Sequence, residues 1–328
     1  MNSTEKDKIM IILANDGISK SGQNALEANG FKVLTTSVAQ EQLINFINEE
    51  QVAVLLVRSA TTVRKDLIDA CPNLKIIGRG GVGMDNIDVD YARSMGKHVI
   101  NTPAASSSSV AELVFAHLFG AVRFLFDANR NMPLEGDSGF NKLKKSYAKG
   151  RELRGKTLGI IGFGRIGHEV AKIALGVGMK VIVSDKYINE SSVKVEFYNG
   201  QFINVAIQSQ SVESILKEAD FVTLHVPAQK EYVIGKKEID MMKQGSGIVN
   251  ASRGGVIDEV ALVEALDSGK LAFACLDTFE NEPIPAVQVL MQPKTSLTPH
   301  IGAATLEAQD RIGVELAEQI VSILKSNS

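Results

Sequence analysis

The chain has 328 residues, 45% hydrophobic and 22% charged, with a formal net charge of −3. That length exceeds what a single hydrophobic core ordinarily fills, so two domains are expected. The charge balance leaves no basic footprint for nucleic acid, no apolar run approaches bilayer length, and residues 1–7 are polar rather than signal-like, so no membrane partner and a cytoplasmic setting are expected. Cys71 and Cys275 are far apart and each adjoins an apolar segment, which predicts two buried free thiols rather than a disulfide. The five histidines show no ligand spacing, so no metal is expected.

From residue 8 onward strand-like and helix-like segments alternate. Residues 9–13 form an apolar run, 21–29 a helical stretch, 32–34 a short strand and 40–50 a second helix. Residues 52–57 and 75–78 read as buried strands, 90–95 as a short helix and 98–101 as another strand. Alternation of this kind predicts a parallel sheet covered by helices on both faces. A longer helix is expected after the serines 106–109, with Ser109 and Glu112 as its capping box and apolar residues at Val110, Leu113, Val114, Leu118, Ala121, Val122 and Leu125. His117 on that helix reads as a packed or interface histidine. Residues 132–151 are polar, lysine-rich and broken by Pro133, Gly136, Gly139 and Gly150, and read as an exposed excursion.

A second α/β series follows, with strands at 157–161, 221–225, 247–250 and 273–276. Its first turn is Gly162-Phe163-Gly164-Arg165-Ile166-Gly167, between a buried strand and a helix expected over 165–178. In such a turn the first glycine permits the tight bend, the second lets backbone approach a pyrophosphate, and the third lets helix and strand pack closely. The helix N-terminus then offers unpaired N–H groups to the phosphates. Asp185 closes the next apolar run, 18 residues beyond Gly167, where a carboxylate can accept ribose hydroxyls and repel a 2′-phosphate. The cofactor expected is therefore NAD. Residues 191–210 read as irregular, and 307–324 as an amphipathic helix that returns to the first series.

In open parallel sheets ligands bind beyond the carboxyl ends of the strands. Six polar residues fall there: Arg58 (followed by Ser59), Arg79, His225, Arg253, Asp277 and His300. Their recurrence in both series predicts one cleft between the two domains. Hydride exchange between a 2-hydroxy acid and nicotinamide needs a forked cation on the carboxylate, which suits Arg253. It needs a proton acceptor titrating near neutrality, which suits His300, and a carboxylate to orient that imidazole, which suits Glu282. Glu280 is the nearby rival for the orienting role. Arg58 and Arg79, with the N–H groups of Gly81 and Val82 as an anion nest, supply charge for a phosphorylated substrate; the bland alternative is that they pair with acidic neighbours.

Over nearly its whole length the sequence resembles the D-isomer-specific 2-hydroxyacid dehydrogenases. The likeness is carried by residues 57–61, 78–88, 101–103, 162–167 and 250–254, and by Pro299-His300-Ile301-Gly302-Ala303. It implies an α/β fold of two doubly wound parallel-sheet domains, a Rossmann domain at 105–300 inserted into a discontinuous flavodoxin-like substrate domain at 1–104 and 301–328. It implies Arg253, Glu282 and His300 as the catalytic set. It implies NAD contacts from Gly162, Gly164, Arg165, Ile166, Gly167, Asp185, His225, Val226, Pro227, Ala251, Ser252 and Arg253. Further NAD contacts are implied from Asp277 toward the carboxamide, Val82, His300, Gly302 and Ala303.

Within the family the chain looks most like the branch that oxidises D-3-phosphoglycerate, the first step of phosphorylated serine synthesis, and it implies a homodimer paired through an arm near the long helix. Two departures qualify the transfer. Ala228-Gln229-Lys230-Glu231 follows Pro227 where the family often has threonines, and Lys144 and Lys145 stand where a neighbouring subunit's arginine often reaches the substrate. The sequence stops soon after the final helix, so the regulatory extension of longer forms, and serine inhibition through it, are not expected. A reductase for glyoxylate, hydroxypyruvate or another small 2-keto acid is the alternative reading. An NAD-sensing corepressor is the alternative from another class.

Overall fold

The computed structural model describes residues 9–326, so the polar segment 1–7 lies outside the described residues. The chain divides into two compact units, one built from residues 1–106 with 303–328 and the other from 107–302.

The first unit alternates β1 (Ile11–Ala14), α1 (Lys20–Glu27), β2 (Lys32–Leu34), α2 (Leu43–Glu49), β3 (Val52–Val57), α3 (Lys65–Ala70), β4 (Ile76–Arg79), α4 (Val89–Ser94) and β5 (His98–Asn101). The C-terminal helix α13 (Leu306–Ser326) completes it. The five strands are all parallel, in the order β2-β1-β3-β4-β5. Side chains alternate across a strand, and the core divides accordingly. Leu13, Leu55, Val57 and Ile77 pack with Leu43, Ile47, Leu67 and Ala92 on one face, while Ile12, Val54, Leu56 and Ile76 pack with Leu26, Ile312, Leu316 and Ile320 on the other.

The return of α13 depends on a close crossing with α1. A Cβ on Gly22 would lie 2.6 Å from the Gly313 backbone, so the two helices meet where neither carries a side chain. The short α3, which the sequence reading passed over, contributes Leu67 and Ile68 to the core.

The second unit runs α5 (Ser107–Val122), α6 (Leu125–Glu135), α7 (Phe140–Ser146), β6 (Thr157–Ile161), α8 (Arg165–Val177) and β7 (Lys180–Ser184). It continues with β8 (Glu190–Glu196), β9 (Phe202–Gln208), α9 (Val212–Glu218), β10 (Phe221–Leu224), α10 (Lys236–Met241) and β11 (Ser246–Asn250). It closes with α11 (Glu259–Asp267), β12 (Leu271–Leu276), α12 (Val287–Leu290) and β13 (Thr295–Leu297). Six parallel strands lie in the order β13-β12-β11-β10-β6-β7. Here α5 and α8 cover one face with Val114, Leu118, Val170 and Ala174, and α9, α10 and α11 cover the other with Ile215, Ile239 and Leu262. The expected fold class, two doubly wound parallel sheets with one series interrupting the other, is observed. Cys71 and Cys275 are buried free thiols, and burial pushes both of their pKa values up. Among the described residues no single helix is long and apolar enough to cross a membrane.

Two local expectations are corrected and a third is refined. The helix expected to start at a Ser109–Glu112 capping box starts at Ser107, so Ser109 is a buried residue within α5 rather than its cap. The excursion at 132–151 is largely exposed as expected, apart from the buried Leu143, but it is not irregular: α6 runs through Met132 and tolerates Pro133 near its exposed end, and α7 anchors itself by Leu143. Residues 191–210 are an antiparallel hairpin, β8 with β9, in full register from Glu190↔Gln208 to Glu196↔Phe202. Val193, Val195, Val205 and Ile207 alternate onto its inner face against the core that includes α8. A period of two was present in the sequence, but the polar outer face masked it.

Replacing Gly22 by Val should lower unfolding stability by about 1–3 kcal/mol or more, because the helix backbones must separate. Urea unfolding of the variant beside wild type measures this, and an unchanged midpoint would show that the crossing is not tight.

Candidate active site

The glycine turn sits where β6 lies between β7 and β10, the point at which the strand order reverses. Gly162 adopts φ +91, a left-handed conformation, and a side chain there would strike the His225 carbonyl. Around Gly164 there is open space, and a Cβ on Gly167 would meet the Gly162 carbonyl oxygen. Gly164 caps α8 without any side-chain hydrogen bond, so the N–H groups of the first helical turn face outward unclaimed by a cap. Beneath the turn the buried Phe163 ring stacks on His168 at 4.1 Å between centroids. The His168 imidazole donates from Nδ1 to the Gly164 carbonyl (2.9 Å), and its Nε2 meets the Ser191 hydroxyl at the start of the hairpin (2.9 Å).

Asp185 lies one residue beyond β7, and its carboxylate is already partly engaged. Oδ2 accepts the Phe163 N–H at 2.7 Å, and Oδ1 accepts those of Tyr187 (2.8 Å) and Ile188 (3.1 Å). One lone-pair direction on Oδ2 is left for a ribose hydroxyl. Beside it a hollow of about 570 Å³ is lined by Tyr187, Ile188, Asn189, Glu190, Gln208 and Ser209, so the hairpin base walls the region next to Asp185. On the neighbouring strand His225 bonds Thr223 Oγ1 through Nε2 (2.9 Å), while its buried Nδ1 has no protein partner. Burial of the ring lowers its pKa to about 3, so the imidazole is neutral. An open glycine cradle, an uncapped helix start, a carboxylate with one free acceptor direction and an orphaned ring nitrogen fit a dinucleotide.

At the ends of β11 and β12 two turns are built against each other. Asn250 shapes the first: its Oδ1 accepts the Ser252 N–H (3.0 Å) and hydroxyl (2.8 Å), and its Nδ2 donates to the Arg253 carbonyl (2.8 Å). Ser252 is thereby buried and committed to the turn, and Arg253 Nη1 donates to the Ser252 carbonyl at 2.7 Å. A Cβ on Gly254 would collide with the Phe279 carbonyl, which sets the Arg253 turn directly against residues 277–282. Sequence reasoning placed Asn250 only as a strand end; the signal available was a buried-strand asparagine two residues before a serine.

The second turn carries Glu282. Its Oε1 accepts the Phe279 N–H at 3.0 Å, and its Oε2 lies 2.8 Å from His300 Nδ1. Because a carboxylate only accepts, His300 carries hydrogen on Nδ1 and presents the Nε2 lone pair. The rival Glu280 points elsewhere, accepting the Glu259 N–H at 3.0 Å, while Glu259 returns a bond to the Glu280 N–H at 2.9 Å. Glu259 is buried, and that burial raises its carboxyl pKa. His300 itself has φ +55. Asp277, 1% exposed, accepts from Thr298 Oγ1 (2.6 Å) and from the N–H groups of Ile301 and Gly302 (2.8 Å each).

In the first unit Arg58 follows β3 and Arg79 ends β4, so both stand at the carboxyl ends of neighbouring strands, because Arg79 pairs with Val57, the residue before Arg58. The Arg58 stem lies on the Gly80 side and the Arg79 guanidinium on the Gly81 side. Asp16 accepts the Arg58 N–H at 2.6 Å and the Thr61 hydroxyl at 2.6 Å, and Asn86 donates to the Arg58 carbonyl at 2.7 Å. Both residues were missed from sequence. Ser59 is exposed. Gly81 donates its N–H to the Arg79 carbonyl at 3.0 Å, and a Cβ there would run into the Arg79 guanidinium. The Gly81 N–H expected in the Gly81–Val82 nest is thus engaged with the Arg79 carbonyl, and the Val82 carbonyl accepts from Asn101 Nδ2 at 2.7 Å.

Residues 115–302 match the model of the D-isomer specific 2-hydroxyacid dehydrogenase NAD-binding domain, so the chain belongs to that family and its second unit is the NAD-binding domain. Hydroxypyruvate reductase of Thermotoga maritima is 43% identical over 313 residues, covering 93% of this chain and 95% of that protein. D-3-phosphoglycerate dehydrogenase of Methanocaldococcus jannaschii is 40% identical and matches 96% of this chain, which spans only 57% of that protein's length. Among solved structures, NAD+-bound 3-phosphoglycerate dehydrogenase from Entamoeba histolytica superposes with a TM-score of 0.76 at 27% identity, covering 98% of this chain and 97% of that one.

The depressed pKa of His225 makes stability fall as pH drops. The unfolded chain takes up this proton below about 6.5 and the folded chain only near about 3, so folding is progressively disfavoured across that window. Unfolding titrations of His225→Asn should show a shallower loss between those limits, and an identical slope would contradict the assignment.

Proposed function

We propose that this protein is an NAD-dependent oxidoreductase that interconverts D-3-phosphoglycerate and 3-phosphohydroxypyruvate. The observation that carries the reaction class is the bond from His300 Nδ1 to Glu282, which leaves Nε2 as a proton acceptor. When bound, NAD supplies the hydride acceptor. Arg253 holds the substrate carboxylate with its forked donors and polarises C2. His300 Nε2 takes the C2 hydroxyl proton as the hydride leaves C2, and Glu282 stabilises the imidazolium so formed. In the reverse direction His300 returns that proton to the carbonyl oxygen.

The phosphate reading rests on Arg58 and Arg79 at adjacent strand ends, with Val82 three residues beyond Arg79. Two guanidinium groups exceed what a plain hydroxy acid requires and suit a dianion. NAD contacts are assigned to the turn at Gly162, Gly164, Arg165, Ile166 and Gly167. They are assigned also to Asp185, to His225, Val226 and Pro227, to Ala251, and to the segment from His300 to Ala303. The exposed Leu125, Phe126, Leu134 and Phe140 on α6 and α7 suit a homodimer contact, which size-exclusion chromatography with light scattering tests directly.

A second reading has its own support, since the hydroxypyruvate reductase of Thermotoga maritima matches this chain almost end to end. NADH consumption separates the two. Phosphohydroxypyruvate should exceed hydroxypyruvate in kcat/KM by about tenfold or more if two arginines meet the phosphate, and equal use would reject that role. Arg58→Ala should raise KM for the phosphorylated acid selectively. His300→Asn should reduce kcat by about a hundredfold or more while NADH affinity holds, and retained turnover would remove His300 from the chemistry.

A further inference from the structure

A chain of buried hydrogen bonds runs from the middle of α5 to the turn that carries His300, all within the second unit. His117 is 5% exposed, with Nδ1 2.8 Å from Ser296 Oγ and Nε2 3.0 Å from Thr298 Oγ1. The proton directions follow from the far end. Thr298 spends its hydroxyl hydrogen on the Asp277 carboxylate, so its oxygen can only accept from His117, and Nε2 must bear the hydrogen. Nδ1 then accepts from Ser296. Burial lowers the pKa of His117, which keeps this single neutral tautomer.

Asp277 is the hub of this chain. Besides Thr298 it binds the N–H groups of Ile301 and Gly302, the two residues that follow His300. Those bonds, with His300 N–H to the Thr298 carbonyl at 3.0 Å, hold His300 at φ +55, a conformation that a non-glycine residue keeps only when its surroundings impose it. Space enforces the same geometry. A Cβ on Gly302 would lie 3.0 Å from Asp277 Oδ2 and 3.3 Å from Val110 Cγ2 on α5, so the turn is pressed against the helix that bears His117.

We propose that His117 is a positioning residue for the hydride-transfer reaction, setting the place of the His300 imidazole through Thr298 and Asp277. The role rests on the reading of His300 as the proton acceptor. His117 touches no reacting atom; its Nε2–H fixes which way the Thr298 hydroxyl points, and that hydroxyl fixes one oxygen of the carboxylate that anchors Ile301 and Gly302. A misplacement of the imidazole of about 1 Å costs on the order of a hundredfold in turnover.

Amide substitutions separate this relay from mere packing. His117→Gln places a nitrogen donor near the Nε2 position, whereas His117→Asn reaches only the Nδ1 position. The expected result, with NADH and phosphohydroxypyruvate or hydroxypyruvate, is that H117Q keeps kcat within about threefold of wild type while H117N and Thr298→Val lose about tenfold or more, with KM for the acid little changed. Thr298→Ser, which keeps the hydroxyl, should restore kcat. Equal behaviour of H117Q and H117N, or full turnover in T298V, would overturn the relay.

Should wild type reduce neither acid, the proposed function fails, and the relay is then judged by amide hydrogen exchange at Ile301 and Gly302. Exchange about tenfold faster in T298V than in wild type supports the anchoring, and equal exchange overturns it.

Discussion

Every strand in the two main sheets runs parallel to its neighbours, and this constraint organises the rest of the molecule. Parallel pairing forces each strand to be followed by a crossover, so all carboxyl ends in a sheet gather on one edge. The helices bury both faces, which leaves that edge as the place where polar side chains can stand without breaking a core. Arg58 and Arg79 occupy it in the first unit. Gly162, Asp185, His225, Arg253 and Asp277 occupy it in the second.

Within that edge the second unit spends its polar groups mostly on its own backbone. Asn250 folds the Arg253 turn, Glu282 caps Phe279 before it meets His300, Asp185 ties the glycine turn to the end of β7, and Asp277 anchors the residues after His300. Each is a residue whose type suggests direct chemistry, yet each has donors or acceptors committed to shaping a turn. This double use has a physical reason. A short loop at a strand end has few internal hydrogen bonds, and a side chain that also satisfies backbone groups rigidifies the functional atoms nearby.

Much of this was legible before any coordinates. The alternation of strand and helix, the glycine turn with Asp185 in register, and the Arg253, Glu282 and His300 candidates follow from periodicity and from the chemistry that hydride exchange requires. Strands such as Lys32–Leu34, Val52–Val57 and His98–Asn101 have the bounds that hydrophobic pattern alone suggests. The hairpin at Glu190–Gln208 and the helices at Leu125–Glu135 and Phe140–Ser146 did not stand out in the sequence, because the hairpin buries only Val193 and Ile207, the second helix only Leu143 and the first helix none of its residues. Periodicity is weak where only one narrow stripe is buried.

What the sequence determined by itself was the set of local signals: apolar runs long enough for buried strands, glycines that free a turn, and side-chain types able to bind anions, move a proton or orient an imidazole. The tertiary structure alone decided which of these groups meet. Glu282 rather than Glu280 contacts His300, the Gly81 N–H turns back on its own strand, and His117, 181 residues from Thr298 along the chain, sits against it. The reason is that spacing in sequence fixes a residue's neighbours only within one element, whereas a hydrogen bond needs atoms within about 3 Å, and across elements only packing sets that distance.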